Sequence, residues 1–165
     1  MLTKVKRGKQ KKTNDSFAIV ASRYNGLYVD AMLRAARKEL LNAGAKVRIV
    51  RVPGAFEVPT VAARLAEKLS AHSPKFTPRT SSLSGIICLG VIFQGETSHA
   101  QHISWGVTHA LAQIQVQYKI PVIHGVFVFE KEKQAKVRCL STKHNRGTEA
   151  AQTALQMAQV MAGLR

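Results

Sequence analysis

Short apolar runs alternate with stretches of helical periodicity along this chain, and the alternation predicts four strands, each followed by a helix. Ser16–Ser22 (SFAIVAS) is an apolar run closed by the turn residues Arg23–Gly26, the pattern of a buried strand and its loop. Val29, Met32, Leu33, Ala36 and Leu40 then recur at helical spacing until Asn42–Gly44 stops them. A second strand, Lys46–Val52, halts at Pro53–Gly54, and the following helix, Phe56–Leu69, carries Val58, Val61, Ala62, Leu65 and Leu69 as a stripe. Residues 70–84 are polar and interrupted by Pro74 and Pro78, which predicts a loop of unusual length. Gly85–Phe93 is the most apolar run of the chain and so predicts a central strand. A long helix over about 98–118 presents Ile103, Val107, Leu111 and Ile114, and Pro121–Phe127 is the fourth strand. A short helix near 130–138 and a terminal one over about 146–163, with Ala151, Leu155, Ala158 and Ala162 in register, complete the pattern.

Strand and helix alternating in this way fit an α/β domain whose parallel sheet is covered on both faces. Residues 16–165 are expected to form that single domain, and residues 1–15, polar, basic and without period, a disordered arm. The chain is 45% apolar, as a globular domain requires. It has no run of roughly 20 apolar residues, and its start lacks the apolar core of a signal peptide, so the expected compartment is the cytoplasm. Cys88 and Cys139, isolated from each other and in apolar surroundings, are expected as buried thiols rather than disulfide or zinc partners.

The formal net charge of +16 is the one compositional extreme, with +5 on residues 1–15 and +11 on the remainder. Such a field draws anions of every kind, from phosphorylated metabolites to nucleic acid. No helix-turn-helix, RNA-recognition or zinc-finger pattern selects nucleic acid. Non-specific polyanion binding by the basic arm is a separate expectation, compatible with an enzyme.

In open parallel sheets ligands bind beyond the carboxyl ends of the strands. That rule selects Arg23–Asn25, Val52–Glu57, Val91–His99 and His124–Phe127. Gln94–His99 (QGETSH) joins a strand to a helix start, where free backbone N–H groups favour an anion and Gly95 lets it approach closely. An ordinary cap by Thr97 or Ser98 is the alternative there. His99 falls in the first turn, where an imidazole can give and take a proton near neutral pH. His102 follows at i+3, but two histidines alone do not make a zinc site. Tyr24 and Phe56 can sandwich a planar heterocycle, with Glu57 accepting from its hydroxyls; the alternative is core packing and a carboxylate favoured by the helix dipole. Arg138, Lys143 and Arg146 offer a cationic cluster suited to phosphate, with a solvated basic face as the alternative.

Four of these segments, in order, resemble the 6,7-dimethyl-8-ribityllumazine synthase family of riboflavin biosynthesis. Ser22–Asn25 (SRYN) is similar to its Ser/Gly-Arg-Phe-Asn, and Val52–Pro59 (VPGAFEVP) to its Val-Pro-Gly-Ala-Phe-Glu-Ile-Pro. Gly90–His99 (GVIFQGETSH) parallels Gly-x-Val-Ile-Arg-Gly-x-Thr-x-His. Arg138, with Asn145–Ala151 (NRGTEAA), parallels the stretch from the family's phosphate-binding Arg to Asn-Lys-Gly-x-Glu-Ala-Ala.

The resemblance implies a three-layer α/β/α fold with a four-stranded parallel sheet in the flavodoxin-like order 2-1-3-4. It implies no metal and no organic cofactor. It further implies that Tyr24 and Phe56 stack on a pyrimidinedione, that Ala55, Phe56 and Glu57 hold its ribityl chain, and that Val91, Ile92 and Phe93 line the ring pocket. Glu96, Thr97 and Arg138 are to bind the phosphate of 3,4-dihydroxy-2-butanone 4-phosphate, and His99 to transfer protons. His124 contributes from the fourth strand. Members form homo-pentamers with sites between subunits, and some build icosahedral shells. Five departures stand out: Tyr24 for Phe, Gln94 for Arg, Gln101 for an acidic residue, His124 for Phe and Arg146 for Lys, the last keeping the charge. A carrier of flavin or lumazine on the same fold is a further alternative.

Overall fold

A computed structural model describes residues 12–70 and 83–164. Its strands are β1 (Ser16–Ser22), β2 (Lys46–Val52), β3 (Leu83–Phe93) and β4 (Val122–Phe129). Its helices are α1 (Gly26–Asn42), α2 (Val58–Ser70), α3 (His99–Tyr118), α4 (Glu132–Ala135) and α5 (Arg146–Ala162), with a π-helical turn at Lys136–Leu140. The strands form one parallel sheet in the order β2-β1-β3-β4, the flavodoxin-like arrangement the motifs imply.

Side-chain alternation decides what each face of the sheet buries. Phe17, Ile19 and Ala21 of β1, with Ile87, Leu89 and Val91 of β3, lie in one core with Val29, Met32 and Leu40 of α1 and Ala151 and Leu155 of α5. Ala18, Val20, Ile86 and Cys88 lie in the other with Val58 and Ala62 of α2 and Val107 and Leu111 of α3. Strands β1 and β3 are therefore covered on both faces, which is why their sequences are nearly unbroken apolar runs. Strand β2 is an edge and keeps Lys46, Arg48 and Arg51. Helix α1 ends on Gly44, whose φ of +88° is one that L side chains rarely adopt, and the Ala45 N–H returns to the Leu40 carbonyl at 3.1 Å.

Three expectations change. The fourth strand does not finish at Phe127 but continues to Phe129, so His124–Phe127 is strand interior rather than rim. Leu83 and Ser84, expected in the loop, are the first residues of β3, while 71–82 lie outside the described residues. Of the arm, 1–11 lie outside them too. Residues 12–15 lack regular structure but are held: the Thr13 N–H donates to the Ala43 carbonyl at 2.8 Å, and Ser84 Oγ donates to Asp15 Oδ1 at 2.6 Å. No described helix is long and apolar enough to cross a membrane.

Candidate active site

Backbone hydrogen bonds tie the loops after β1 and β2 together, and a side-chain amide ties the first of them to β3. The Arg23 N–H donates to the Val52 carbonyl at 2.8 Å, and the Tyr24 N–H to the Pro53 carbonyl at 3.0 Å. Asn25, in the left-handed region at φ 56°, sends its side-chain amide to the Val91 carbonyl at 2.7 Å. Asn tolerates that conformation better than most residues, so one residue both turns the chain and fixes the first loop to β3. This role was not read from the sequence, although Asn25–Gly26 was legible as a turn.

The Val52–Glu57 turn lies across β3 and α3. Ala55 is buried against Gly90, and Phe56 leans on α3 at Gly106 with its ring 61% exposed. Glu57 Oε2 accepts the Gly54 N–H at 2.8 Å, bracing its own turn while the carboxylate stays exposed. Tyr24 is 73% exposed on the adjoining loop. Both aromatic rings thus stand open at the rim, in reach of a ligand rather than packed in the core.

Beyond β3, residues Gly95–His99 are all exposed, and nothing lies within 4 Å of a Cβ built on Gly95. Helix α3 begins at His99 after Ser98, which makes no side-chain capping bond. The only nearby substitute is Thr97 Oγ1, accepting the His99 N–H at a long 3.4 Å. Of the two caps allowed for here, Ser98 makes none and Thr97 only this long one, so most N–H groups of the first turn have no side-chain partner and can face an anion. His99 stands beside that opening, as does Glu96.

Val91, Ile92 and Phe93 do not present one common surface. Val91 is buried in the α1/α5 core, Phe93 packs against that same core, and Ile92 faces the α2/α3 side. Alternation along a strand forbids all three side chains from lining one pocket; Ile92 and the backbone are what this segment can offer. Phe93 instead meets Tyr28 edge-on at 5.5 Å and lies 6.4 Å from Phe129.

His124 is in the body of β4, paired with Cys88, and its Nε2 lies 2.9 Å from Thr108 Oγ1 of α3. It is five residues short of the strand's carboxyl end, about 16 Å at ~3.3 Å per residue. Within its own chain it does not join the rim, and desolvation lowers its pKa from the ordinary histidine value.

Arg138 is half-buried in the π-helical turn that follows α4, and it pairs with no carboxylate among the described residues. Arg146 is committed elsewhere: it pairs with Glu149 and lies over the Phe127 ring at 5.6 Å. Asn145 caps α5 by accepting the Gly147 N–H at 2.8 Å, and its amide donates to the Cys139 carbonyl. Among the described residues no three His, Cys, Asp or Glu side chains converge on a metal position.

Tyr28 Oη donates to Glu132 Oε1 at 2.6 Å, and Lys136 Nζ lies 3.2 Å from the same oxygen. This chain ties the first turn of α1 to the segment bearing Arg138. The bond to Glu132, more than burial, pushes the Tyr28 phenol up to about 12, while Tyr28 and then Lys136 hold Glu132 below the usual carboxylate range. A raised tyrosine contributes stability that is complete below its unfolded pKa, near 10, and is lost as pH rises through the folded value. Thermal melts between pH 10 and 12 should therefore fall less steeply in Tyr28→Phe than in the parent chain. Equal slopes would show that the phenol carries no such linkage.

Comparison with known proteins identifies the family. The family described as 6,7-dimethyl-8-ribityllumazine synthase matches residues 14–162. A protein of that name from Stenotrophomonas maltophilia (strain R551-3) is 34% identical over 148 residues, covering 88% of each chain. One from Xanthomonas campestris pv. campestris (strain B100) is 32% identical over 157 residues, covering 93% of this chain and 94% of the relative.

Proposed function

The chain belongs to the 6,7-dimethyl-8-ribityllumazine synthase family, and from that premise we propose that it is a transferase in riboflavin biosynthesis. It condenses 5-amino-6-ribitylaminouracil with 3,4-dihydroxy-2-butanone 4-phosphate to give 6,7-dimethyl-8-ribityllumazine, phosphate and water. The observation that carries this reading is that open aromatic rings (Tyr24, Phe56), an exposed carboxylate (Glu57) and the start of α3 at His99 all lie just beyond the carboxyl ends of the neighbouring strands β1, β2 and β3.

Each part has a physical role in that reaction. Tyr24 and Phe56 stack on the pyrimidinedione, and Ala55, Phe56 and Glu57 hold the ribityl chain. The exposed loop Glu96–Thr97 and Arg138, which pairs with no carboxylate among the described residues, hold the phosphate. The 5-amino group attacks the ketone and a first water leaves as the imine forms. Loss of a proton then expels phosphate, whose departing charge the helix start and Arg138 neutralise. The resulting enol tautomerises, and attack by the ribitylamino nitrogen on the remaining carbonyl closes the ring and expels a second water. His99 carries the protons. Holding both substrates together supplies most of the acceleration, and the imidazole adds ~10²–10⁴-fold. None of these steps calls for a metal or an organic cofactor.

The site belongs to an assembly of subunits, a homo-pentamer or a larger shell. Rings as exposed as Tyr24 and Phe56 lack the second wall a stacked ligand needs, and a neighbouring subunit supplies it. His124, remote from its own rim, is placed to serve a neighbour's site. Helix α3 has no Asp, Glu, Lys or Arg in its 20 residues, although 21% of the whole chain is charged. It leaves Trp105 and Val116 exposed at 65% and 77%, a face suited to contact with other copies. The unpaired buried thiols Cys88 and Cys139 accord with a reducing cytoplasm.

A bacterial strain lacking its own lumazine synthase provides the cellular test. Expression of this chain should restore growth without added riboflavin, and Phe56→Ala should restore it poorly. Soluble protein without growth would refute the assignment.

A further inference from the structure

We infer that Gln94 is a positioning residue for the phosphate: its side-chain amide clamps two carbonyls of the β3–α3 loop, so that the N–H groups of the same peptide units face the anion. This rests on the reaction proposed above.

Gln94 is anchored by its own N–H, which donates to the Phe129 carbonyl at 2.9 Å at the end of β4. Its side-chain Nε2 donates to the Gly95 carbonyl and to the Thr97 carbonyl, each at 2.9 Å. In a trans peptide the C=O and N–H of one unit point in opposite directions, and the chain has no cis peptide bonds among the described residues. Drawing those two carbonyls toward Gln94 therefore turns the Glu96 and Ser98 N–H groups away from it. Those N–H groups lie just before α3, where Ser98 makes no side-chain cap, and a Cβ on the preceding Gly95 would meet nothing within 4 Å.

Two N–H groups of one loop turned to the same side, here alternate ones, give an anion a pair of donors. Here one amide fixes that aim before the ligand arrives, so no reorganisation is needed at the moment of binding. The negative charge of Glu96 beside the same loop makes such fixing more consequential, because the carboxylate repels phosphate unless the N–H dipoles are held in place.

The test compares the parent chain with Gln94→Met, which keeps the length and loses both donors, and Gln94→Arg, which keeps donors for both carbonyls. Gln94→Met should raise the KM for the ketone phosphate about tenfold, the cost of one or two hydrogen bonds. It should weaken binding of inorganic phosphate, read by calorimetry, to the same degree. The KM for the pyrimidine should stay put, and Gln94→Arg should remain within about twofold of the parent in all three. Unchanged phosphate affinity in Gln94→Met would overturn the inference, as would an equal rise in both KM values, which signals general loosening. If the parent chain makes no lumazine, the proposed reaction falls by itself; a tenfold loss of phosphate affinity in Gln94→Met would still support the clamp.

Discussion

Gly147→Ala is expected to destabilise the fold by on the order of 3–5 kcal/mol, the upper range for a single substitution. Gly147 opens α5 where that helix crosses α1. A Cβ added there would fall on the Met32 carbonyl, 2.6 Å from its carbon and 2.7 Å from the Met32 Cα. These are backbone atoms in the middle of α1, buried at Met32, Ala36 and Leu40, so no rotamer change relieves the clash. Helices α1 and α5 must separate, opening the core they share with Phe17, Ile19 and Leu89. Against a typical total of about 5–15 kcal/mol, such a loss should lower the melting temperature by roughly 10 °C or more. Gly163→Ala is the control: its Cβ would lie 3.5 Å from the nearest atom, an ordinary contact, and its melt should match the parent within about 2 °C. A Gly147→Ala melt that also matches would show that the two helices are not in contact as described.

The second large effect concerns catalysis, and it separates two residues by kinetic signature. His99→Ala should lower kcat about 100-fold while both KM values hold, because proton transfer is lost but substrate positioning remains. Arg138→Ala should instead raise the KM of the ketone phosphate by roughly 10- to 100-fold, the worth of a charge-assisted hydrogen bond, with kcat much less affected. An unchanged kcat in His99→Ala would remove its role as the proton carrier. A fall in kcat without a rise in KM in Arg138→Ala would place that guanidinium on the transition state rather than on the bound phosphate.

Much of this architecture was legible in the sequence because its signals are local. The apolar runs at Ser16–Ser22 and Gly85–Phe93 and the helical stripe through Val29, Met32 and Leu40 require no knowledge of partners, and they became β1, most of β3 and α1. Strand ends were less secure. After His124 the apolar residues continue past Phe127 to Phe129 before Glu130, and β4 runs on to Phe129, where Ile92 and Phe93 of β3 pair with it. That two-residue extension moved His124 from the expected rim to the strand body.

Motif residues were placed by the same logic, with mixed results. The rule that ligands gather beyond parallel strands led to Tyr24, Phe56 and His99, all exposed at or beside the loops it selects. The resemblance, which carries no account of which core a side chain faces, grouped Val91, Ile92 and Phe93, although alternation divides them. Contacts between distant positions were invisible. The Tyr28–Glu132 bond spans 104 positions and the Asn25–Val91 bond 66, and no composition or period announces either. The Gln94 clamp was hidden for another reason: glutamine there read as a missing positive charge, whereas its structural role lies in two neutral donors. The glycine of Asn145–Ala151 likewise matched a motif without disclosing that Met32 leaves it no room.

The most direct measurement is the reaction itself. Purified protein incubated with 5-amino-6-ribitylaminouracil and 3,4-dihydroxy-2-butanone 4-phosphate should produce lumazine fluorescence and one released phosphate per product formed, with no metal or cofactor added. Phosphate release and fluorescence no faster than in the protein-free mixture would contradict the account, however well the fold is conserved with its relatives.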